Sequence, residues 1–461
     1  MRSLLRRRSS LLSVGLQLYC VQYYCTTTAS AATTAATAAI DRAAISRSVK
    51  LLGVRLDARR TGAFIDNARP HVLKMRGVRA VVDDDDGDAK GDPGASASDQ
   101  RVVLLSERLK LGEHIPDELQ YAISAADGEL TSYEVTLGYD ELSAHEVLRQ
   151  MLPADVVVPT SYEEVGHIVH FNLKPEQQPH RFLIGQVLLD KLTPRIRTVV
   201  NKAEEISSQF RNLPLELIAG DDDFTVCVQH GAALLSFDYS KVYWSSRLQT
   251  EHEHIASSFA PGAHVWDLFA GVGPFAVLAA QHGVHVLAND LNPDCADALV
   301  RNVAANRVDG LVRVYNLDAA EFVQRAIEST LVQHEARSDG ACATPSATAS
   351  EASWPDHILL NLPADSLRFL TPLRALCEKL GREGELPAPR VHCYSFTREE
   401  EPEAQLKESE ERVASALGIV AAHGEETSAL ELTVRTVRSV APGKTMLCLE
   451  FPLPRVSSSL S

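Results

Sequence analysis

The chain has 461 residues, 45% hydrophobic and 23% charged, enough for two or three domains with sizeable cores and the balance of a soluble globular protein. Its formal charge of −16 at pH 7 argues against coating nucleic acid through bulk electrostatics, while leaving room for a local basic face. Eight cysteines (Cys20, Cys25, Cys227, Cys295, Cys342, Cys377, Cys393 and Cys448) include no CxxC pair and read as reduced, mostly buried thiols of an intracellular protein without a zinc site.

Residues 1–40 carry four arginines and no acid in a Ser, Thr, Ala and Leu background, the first carboxylate being Asp41. That is the composition of a mitochondrial presequence, with a secretory signal and a disordered tail as the competing readings. Its apolar part, LLSVGLQLYCVQYYC, is too short and too polar to span a membrane, so no membrane association is expected. A small domain over 49–125 follows, its two β-type runs separated by an acidic, Gly/Pro/Ser-containing loop at 83–100 that cannot pack. The stretch from Asp117 to Thr131 reads as a linker.

A second mixed domain is expected over 130–255. Ser143 with Glu146 three residues on is a capping-box helix start. GHIVHFNL alternates like a strand, IGQVLLDKL suits a helix, and IRTVVNKAEEI is a strand or a strand–helix junction. Between His180 and Arg211 six Lys/Arg face three acids, a local excess that is a candidate for phosphate contact. In Glu251-His252-Glu253-His254 the two histidines fall on different sides of a helix, which speaks against a metal there.

The remainder, 256–456, is organised around HVWDLFAGVGPF, residues 264–275. It reads as a buried strand, a glycine turn at Gly271 and Gly273, and a helix opened by Pro274. Glycines let a ligand approach the backbone, and the N–H groups at a helix start receive an anion. VHVLAND is a second strand ending on Asp290, where alternating α/β folds place an acid for the ribose hydroxyls, and LVRVYNLDAAEFV is a third ending on Asp318. The turn is not GxGxxG, so an adenosine without pyrophosphate is expected, which points to S-adenosylmethionine. HEARSDGACATPSATASEASWP, within 333–355, is a low-complexity surface insertion. HILL is a fourth strand running into Asn361-Leu362-Pro363, VHCYSFT a fifth, and the end a hairpin around Pro442-Gly443. A polar residue followed by X-Pro at a strand end is a fixed turn, and Asn361 is expected to face the cofactor's sulfonium.

FDYSKVYWSSRLQTEHEHI, DLFAGVGPF, ANDLNP and NLPADSLRFL, preceded in order by GHIVHFNL, IGQVLLDK, VVNKAEEI and FRNLPLELIAG, closely resemble the eukaryotic and archaeal tRNA (guanine-37 N1)-methyltransferases over roughly Leu51 to Pro454. The resemblance implies a class I, Rossmann-like methyltransferase domain with a twisted, mostly parallel sheet, preceded by two smaller α+β domains, of which the first inspects the tRNA. It implies Arg211 on guanine O6, Glu251 as general base, Tyr243 and Arg247 as positioning residues, and Asn361 with Pro363 as the target-base turn. Asp290 and Asp318 match the positions that hold the ribose and the adenine. The expected cofactor set is Arg247, Asp267, Phe269, Gly271, Gly273, Asp290, Leu291, Asn292, Asp318, Ala319 and Asn361. Ser245-Ser246 departs from the family's usual Asn-Pro, which leaves the shape of that loop open. The implied substrate is tRNA with guanosine at position 37. A monomer without a stable protein partner is expected, and the composition of residues 1–40 points to the mitochondrial matrix, with nuclear and cytoplasmic pools as further expected locations. The rival readings are a wybutosine-pathway aminocarboxypropyl transferase and a non-catalytic tRNA-binding protein.

Overall fold

The computed structural model describes residues 40–84, 99–110, 112–202, 214–338, 353–373, 376, 387–418 and 430–454. The expected leader (all but residue 40), most of the acidic loop, Arg211 and the centre of the Ser/Ala insertion lie outside the described residues.

The first unit contains β1 (Ser46–Asp57), α1 (Thr61–Ala68), β2 (Val81–Asp83), β3 (Gln100–Leu104), α2 (Asp117–Ala125) and β4 (Glu129–Gly138), with an antiparallel sheet in the order β2-β3-β1-β4. Consecutive burial of Leu51, Leu52, Gly53 and Val54 marks β1 as covered on both faces. The expected linker at 117–131 is α2 and the start of β4. Only Leu119, Ala122 and Ile123 of α2 are buried, an i, i+3, i+4 stripe too short to stand out among polar neighbours. Because β4 pairs with β1 from Arg55–Glu129 to Ser46–Gly138, the first unit ends near 138 rather than 125.

The second unit begins with α3 (Ala144–Met151), which carries the expected capping box between Ser143 and Glu146. β5 (Glu163–Val165), β6 (Ile168–Phe171), α4 (Arg181–Leu192), β7 (Thr198–Lys202) and β8 (Leu215–Gly220) follow, ordered β5-β6-β7-β8. α4 is the crossover that makes β6 and β7 parallel. Four of the described cations of the basic stretch already have partners. Arg181 pairs with Glu216, Arg195 with Glu164 and Arg197 with Asp223, and Lys191 donates to the Tyr139 carbonyl. The hairpin β9 (Thr225–His230) and β10 (Ala233–Asp238) then leads to α5 (Gln249–Ser258).

The third unit runs β11 (His264–Asp267), α6 (Pro274–Gln281), β12 (His285–Asn289), α7 (Pro293–Ala305), β13 (Val312–Tyr315), α8 (Ala319–Ser338), β14 (His357–Leu360), β15 (Arg390–Thr397), α9 (Pro402–Leu417), β16 (Thr433–Ala441) and β17 (Lys444–Pro452). Its seven strands are ordered β13-β12-β11-β14-β15-β17-β16, parallel up to β15 and antiparallel beyond. One buried cluster, with Phe275, Val277 and Leu299, packs one face of the sheet, and a second, with Phe322, Val323 and Val413, packs the other. The first cluster also includes Val165, Ile168 and Phe237, so the middle unit shares its core with this domain. The third strand stops at Tyr315, short of the expected Asp318, which instead caps α8 by accepting the Ala320 N–H at 2.9 Å. α8 also runs into the expected insertion as far as Ser338, and Trp354 Nε1 donates to the Pro387 carbonyl at 2.8 Å. No helix among the described residues is long and apolar enough to cross a membrane.

Strand order reverses between β12-β11 and β14-β15. In an open α/β sheet that reversal leaves a crevice outside the carboxyl ends of β11 and β14, and both the glycine turn and Asn361 sit there.

Candidate active site

The turn after β11 is held by its glycines and by an acid from the next strand. Gly273 has φ +97°, and a Cβ there would lie 2.4 Å from Leu299 Cδ1, so only glycine fits. At Gly271, φ is +55° and a Cβ would meet nothing within 4 Å, which leaves that side of the turn open. Asp290 Oδ2 accepts the Gly271 N–H at 2.8 Å, and Oδ1 accepts the Asn292 N–H at 2.9 Å. This acid, expected to meet the ribose, first fixes the turn; each oxygen keeps one further acceptor position. Asn292 is buried, caps α7 at Asp294 N and donates to the Lys241 carbonyl at 2.8 Å, whereas Leu291 is partly exposed. Ala319 is buried and Asp318 exposed at the start of α8.

Two polar atoms in this crevice have no hydrogen-bond partner among the described residues. One is Oδ2 of Asp267, a residue with 0% exposure whose carboxyl burial pushes up to about 7. The other is Oδ1 of Asn361. Buried acceptors without donors are costly and mark places built for a ligand. The turn carrying Asn361 is rigid: Ser366 Oγ accepts the Leu362 N–H at 2.9 Å and donates to the Leu360 carbonyl at 2.8 Å, with Pro363 between them. Phe269 of the glycine turn meets Phe369 edge-on at 4.9 Å, which joins the two loops. Ser366 and Phe369 are not marked by any motif, although both lie within the run NLPADSLRFL. A glycine turn open on one side, an unpaired buried carboxylate and an unpaired amide oxygen fit an adenosyl amino acid with a cationic ammonium group.

Glu251, on the first turn of α5, is 8% exposed. Tyr394 Oη, from β15, donates to its Oε1 at 2.6 Å. Arg435, from β16, donates through Nη2 to Oε1 at 2.6 Å and through Nη1 to Oε2 at 2.7 Å. Glu251 holds the Arg435 guanidinium above its ordinary value, chiefly through these hydrogen bonds, and burial raises Tyr394 well above its own. Phe275, at the start of α6, lies edge-on to His252 at 4.4 Å and tilted against Tyr394 at 6.0 Å, so the carboxylate cluster backs directly onto the helix that the glycine turn opens. His252 is buried against His230, with Nδ1 and Nε2 2.7 Å apart, and burial lowers both, His230 to about 4; His254 is exposed. Behind Arg435, groups of His392, Cys448 and Glu450 come within 4.8 Å of one another. Arg390 and Arg435 each stand 3.7 Å from Glu450, so guanidinium groups already meet its charge.

Tyr243 is 53% exposed and Arg247 is exposed, on the segment entering α5. The Ser245-Ser246 departure is accommodated by the middle unit: Ser246 donates through Oγ at 2.7 Å and through N–H at 3.3 Å to Glu163 Oε1, which pins that loop to β5. Tyr394 and Arg435 were invisible to motif reading, since they arrive from strands 143 and 184 residues away.

Residues 225–337 match the family model described as TRM5/TYW2 methyltransferase domain, and residues 144–223 the one described as TYW2 N-terminal domain. The tRNA (guanine(37)-N(1))-methyltransferase of Phytophthora infestans is 34% identical, over 90% of this chain and 92% of its own. The proteins of the same name from Danio rerio and Homo sapiens are 34% and 32% identical, over 90% of this chain and 81% and 75% of theirs. Among solved structures, the complex of aTrm5 and tRNALeu superposes with a TM-score of 0.56 at 17% identity, over 87% of this chain and 99% of that one. Trm5b from Pyrococcus abyssi gives 0.54 at 19%, over 88% and 99%. At those identities the likeness is one of fold.

Proposed function

Since the chain belongs to the tRNA (guanine(37)-N(1))-methyltransferase family, an S-adenosylmethionine-dependent enzyme that methylates N1 of guanosine 37 of tRNA, we propose that Glu251 is the base that takes the N1 proton. The observation that carries the assignment is a buried carboxylate held by three donors directly behind the helix of the cofactor turn. Guanine N1 is protonated and is a poor nucleophile until that proton leaves. S-adenosylmethionine supplies an electrophilic methyl group on a sulfonium when bound. Asp267 would hold its ammonium, the Gly271–Gly273 turn and Asp290 its adenosine, and Asn361 Oδ1 would accept an N–H of the target base. Charge that builds on O6 as N1 loses its proton calls for a cation, the part that the family resemblance gives to Arg211. Tyr243 and Arg247, both exposed on the segment that leads into α5, would orient the nucleotide.

Transfer of labelled methyl from S-adenosylmethionine to an unmodified tRNA transcript with guanine at position 37 tests the reading, with the same transcript carrying adenine as the control. Label on the guanine form alone is the expected result. Equal label on both would mean a different site choice, and a bound cofactor with no transfer would favour aminocarboxypropyl transfer or a silent binder. A buried carboxylate held for proton abstraction has no evident use in either of those, which is why methyl transfer is the better reading. For location, the Arg-rich, acid-free composition of residues 1–40 supports the mitochondrial matrix, with nuclear and cytoplasmic pools. A fluorescent reporter fused to residues 1–48 is expected to enter mitochondria; a wholly cytosolic or secreted reporter would remove that assignment.

A further inference from the structure

Arg435 and Tyr394 supply every hydrogen bond that Glu251 receives from another side chain among the described residues. A carboxylate offers two acceptor positions on each oxygen. Oε1 takes one donor from each of the two residues and is filled, while Oε2 takes Arg435 Nη1 and keeps one position. We propose that Arg435, with Tyr394, is a positioning residue: it supplies the counter-charge of the buried Glu251 carboxylate, fixes its plane and leaves the last Oε2 position to face the incoming N1 proton. The proposal rests on Glu251 being the base.

Burial disfavours the charged form of a carboxyl group, and a carboxyl that has become neutral cannot take a proton. The groups that face Glu251 leave this task to Arg435. Tyr394 on β15 and Cys448 on β17 are both pushed up by burial and stay uncharged, and His252 on α5 itself is pushed well down and stays neutral. α6 contributes Phe275, which has no charge. Glu450 on β17 is a further charged group beside Arg435. It lies 3.7 Å from Arg435 Nη2, the nitrogen that also donates to Glu251 Oε1, and His392, with Nδ1 3.4 Å from it, holds it down to about 2. Arg435 therefore sits between two carboxylates and is itself fixed by the second. Its planar fork fixes the plane of the Glu251 carboxylate in a way that an ammonium does not.

Single-turnover methyl transfer with full-length protein, followed from pH 5.5 to 9, tests this in Arg435→Gln, Arg435→Lys and Glu251→Gln. Arg435→Gln is expected to move the acid limb of the rate profile up by about one unit or more, so that the rate loss grows toward the acid end of the range, approaching tenfold below the limb, and is largely recovered at pH 9. Arg435→Lys keeps the charge and is expected to leave the limb in place, with a rate lower by roughly fivefold from the lost fork. S-adenosylmethionine and tRNA affinities should stay within about twofold in both variants, because in this reading neither ligand is bound by Arg435. An unmoved limb with a uniform rate loss in Arg435→Gln would overturn the proposal, as would a loss of tRNA affinity large enough to account for the rate. Should Arg435→Gln fail to fold, Tyr394→Phe removes one donor and no charge, and an acid limb that does not rise in it is equally fatal. Glu251→Gln separates the two failures. Full activity there removes the base assignment itself, whereas an inactive Glu251→Gln beside an unmoved Arg435→Gln limb removes only the positioning role.

Discussion

Glu251→Gln is expected to slow methyl transfer to guanosine 37 by about 10²- to 10⁴-fold, the range lost when a positioned general base is removed. Binding of S-adenosylmethionine should be nearly unchanged, since the groups that fit the cofactor lie on the turns after β11 and β14 rather than on α5. The amide is close in shape, but it carries an N–H₂ where Oε1 or Oε2 received the guanidinium. Two donors then face each other at a site with 8% exposure, so a modest fall in melting temperature should accompany the loss. The decisive measurement is single-turnover rate at saturating tRNA and cofactor, which excludes binding effects. Turnover close to that of the unchanged protein would exclude Glu251 as the base.

Asp267→Asn should divide stability from binding. With its carboxyl raised to about 7 from an ordinary 3.8, the folded chain keeps a proton that the unfolded chain loses between pH 4 and 7. Stability contributed by this group therefore falls as pH rises through that window and levels off above 7. Three units correspond to a cost on the order of 4 kcal/mol at pH 8, borne because the carboxyl is fully buried and its Oδ2 has no partner among the described residues. The neutral amide avoids this cost, so the ligand-free variant is expected to melt higher at pH 8 and about equally at pH 4. It should bind S-adenosylmethionine roughly 10- to 100-fold more weakly, having lost a charge-assisted bond to the ammonium in a dry site. Calorimetric titration and thermal melts at the two pH values check both halves. Unchanged cofactor affinity would take Asp267 out of the cofactor site.

The cofactor half of the site was legible in the sequence because its parts are local. Gly271, Gly273, Asp290 and Asn361 each stand at the end of a short apolar run, and strand ends in a parallel sheet share one edge. The surroundings of Glu251 were not legible, because Tyr394 and Arg435 reach it through the antiparallel pairing of β15, β17 and β16, and no local spacing encodes that pairing. The same limit explains the basic stretch after His180. Counting charges in a window shows Arg181, Arg195 and Arg197 as an excess, while their acid partners come from Glu164 and from Glu216 to Asp223, outside it. In sequence α2 looks like a linker because three buried residues among nine give too weak a stripe to outweigh its acidic start.

The distance in sequence between Glu251 and Arg435 also matters during synthesis. At about 5–20 residues per second, the 184 residues between them take the ribosome roughly 10–40 s to add. Within that interval the strands that carry Asp267, Asp290 and Asn361 are made in turn, but the nascent chain has no Arg435 as counter-ion for Glu251, which must stay hydrated. The methyl-donor cleft is therefore available first, and the carboxylate can be drawn out of water only after the final hairpin has been made.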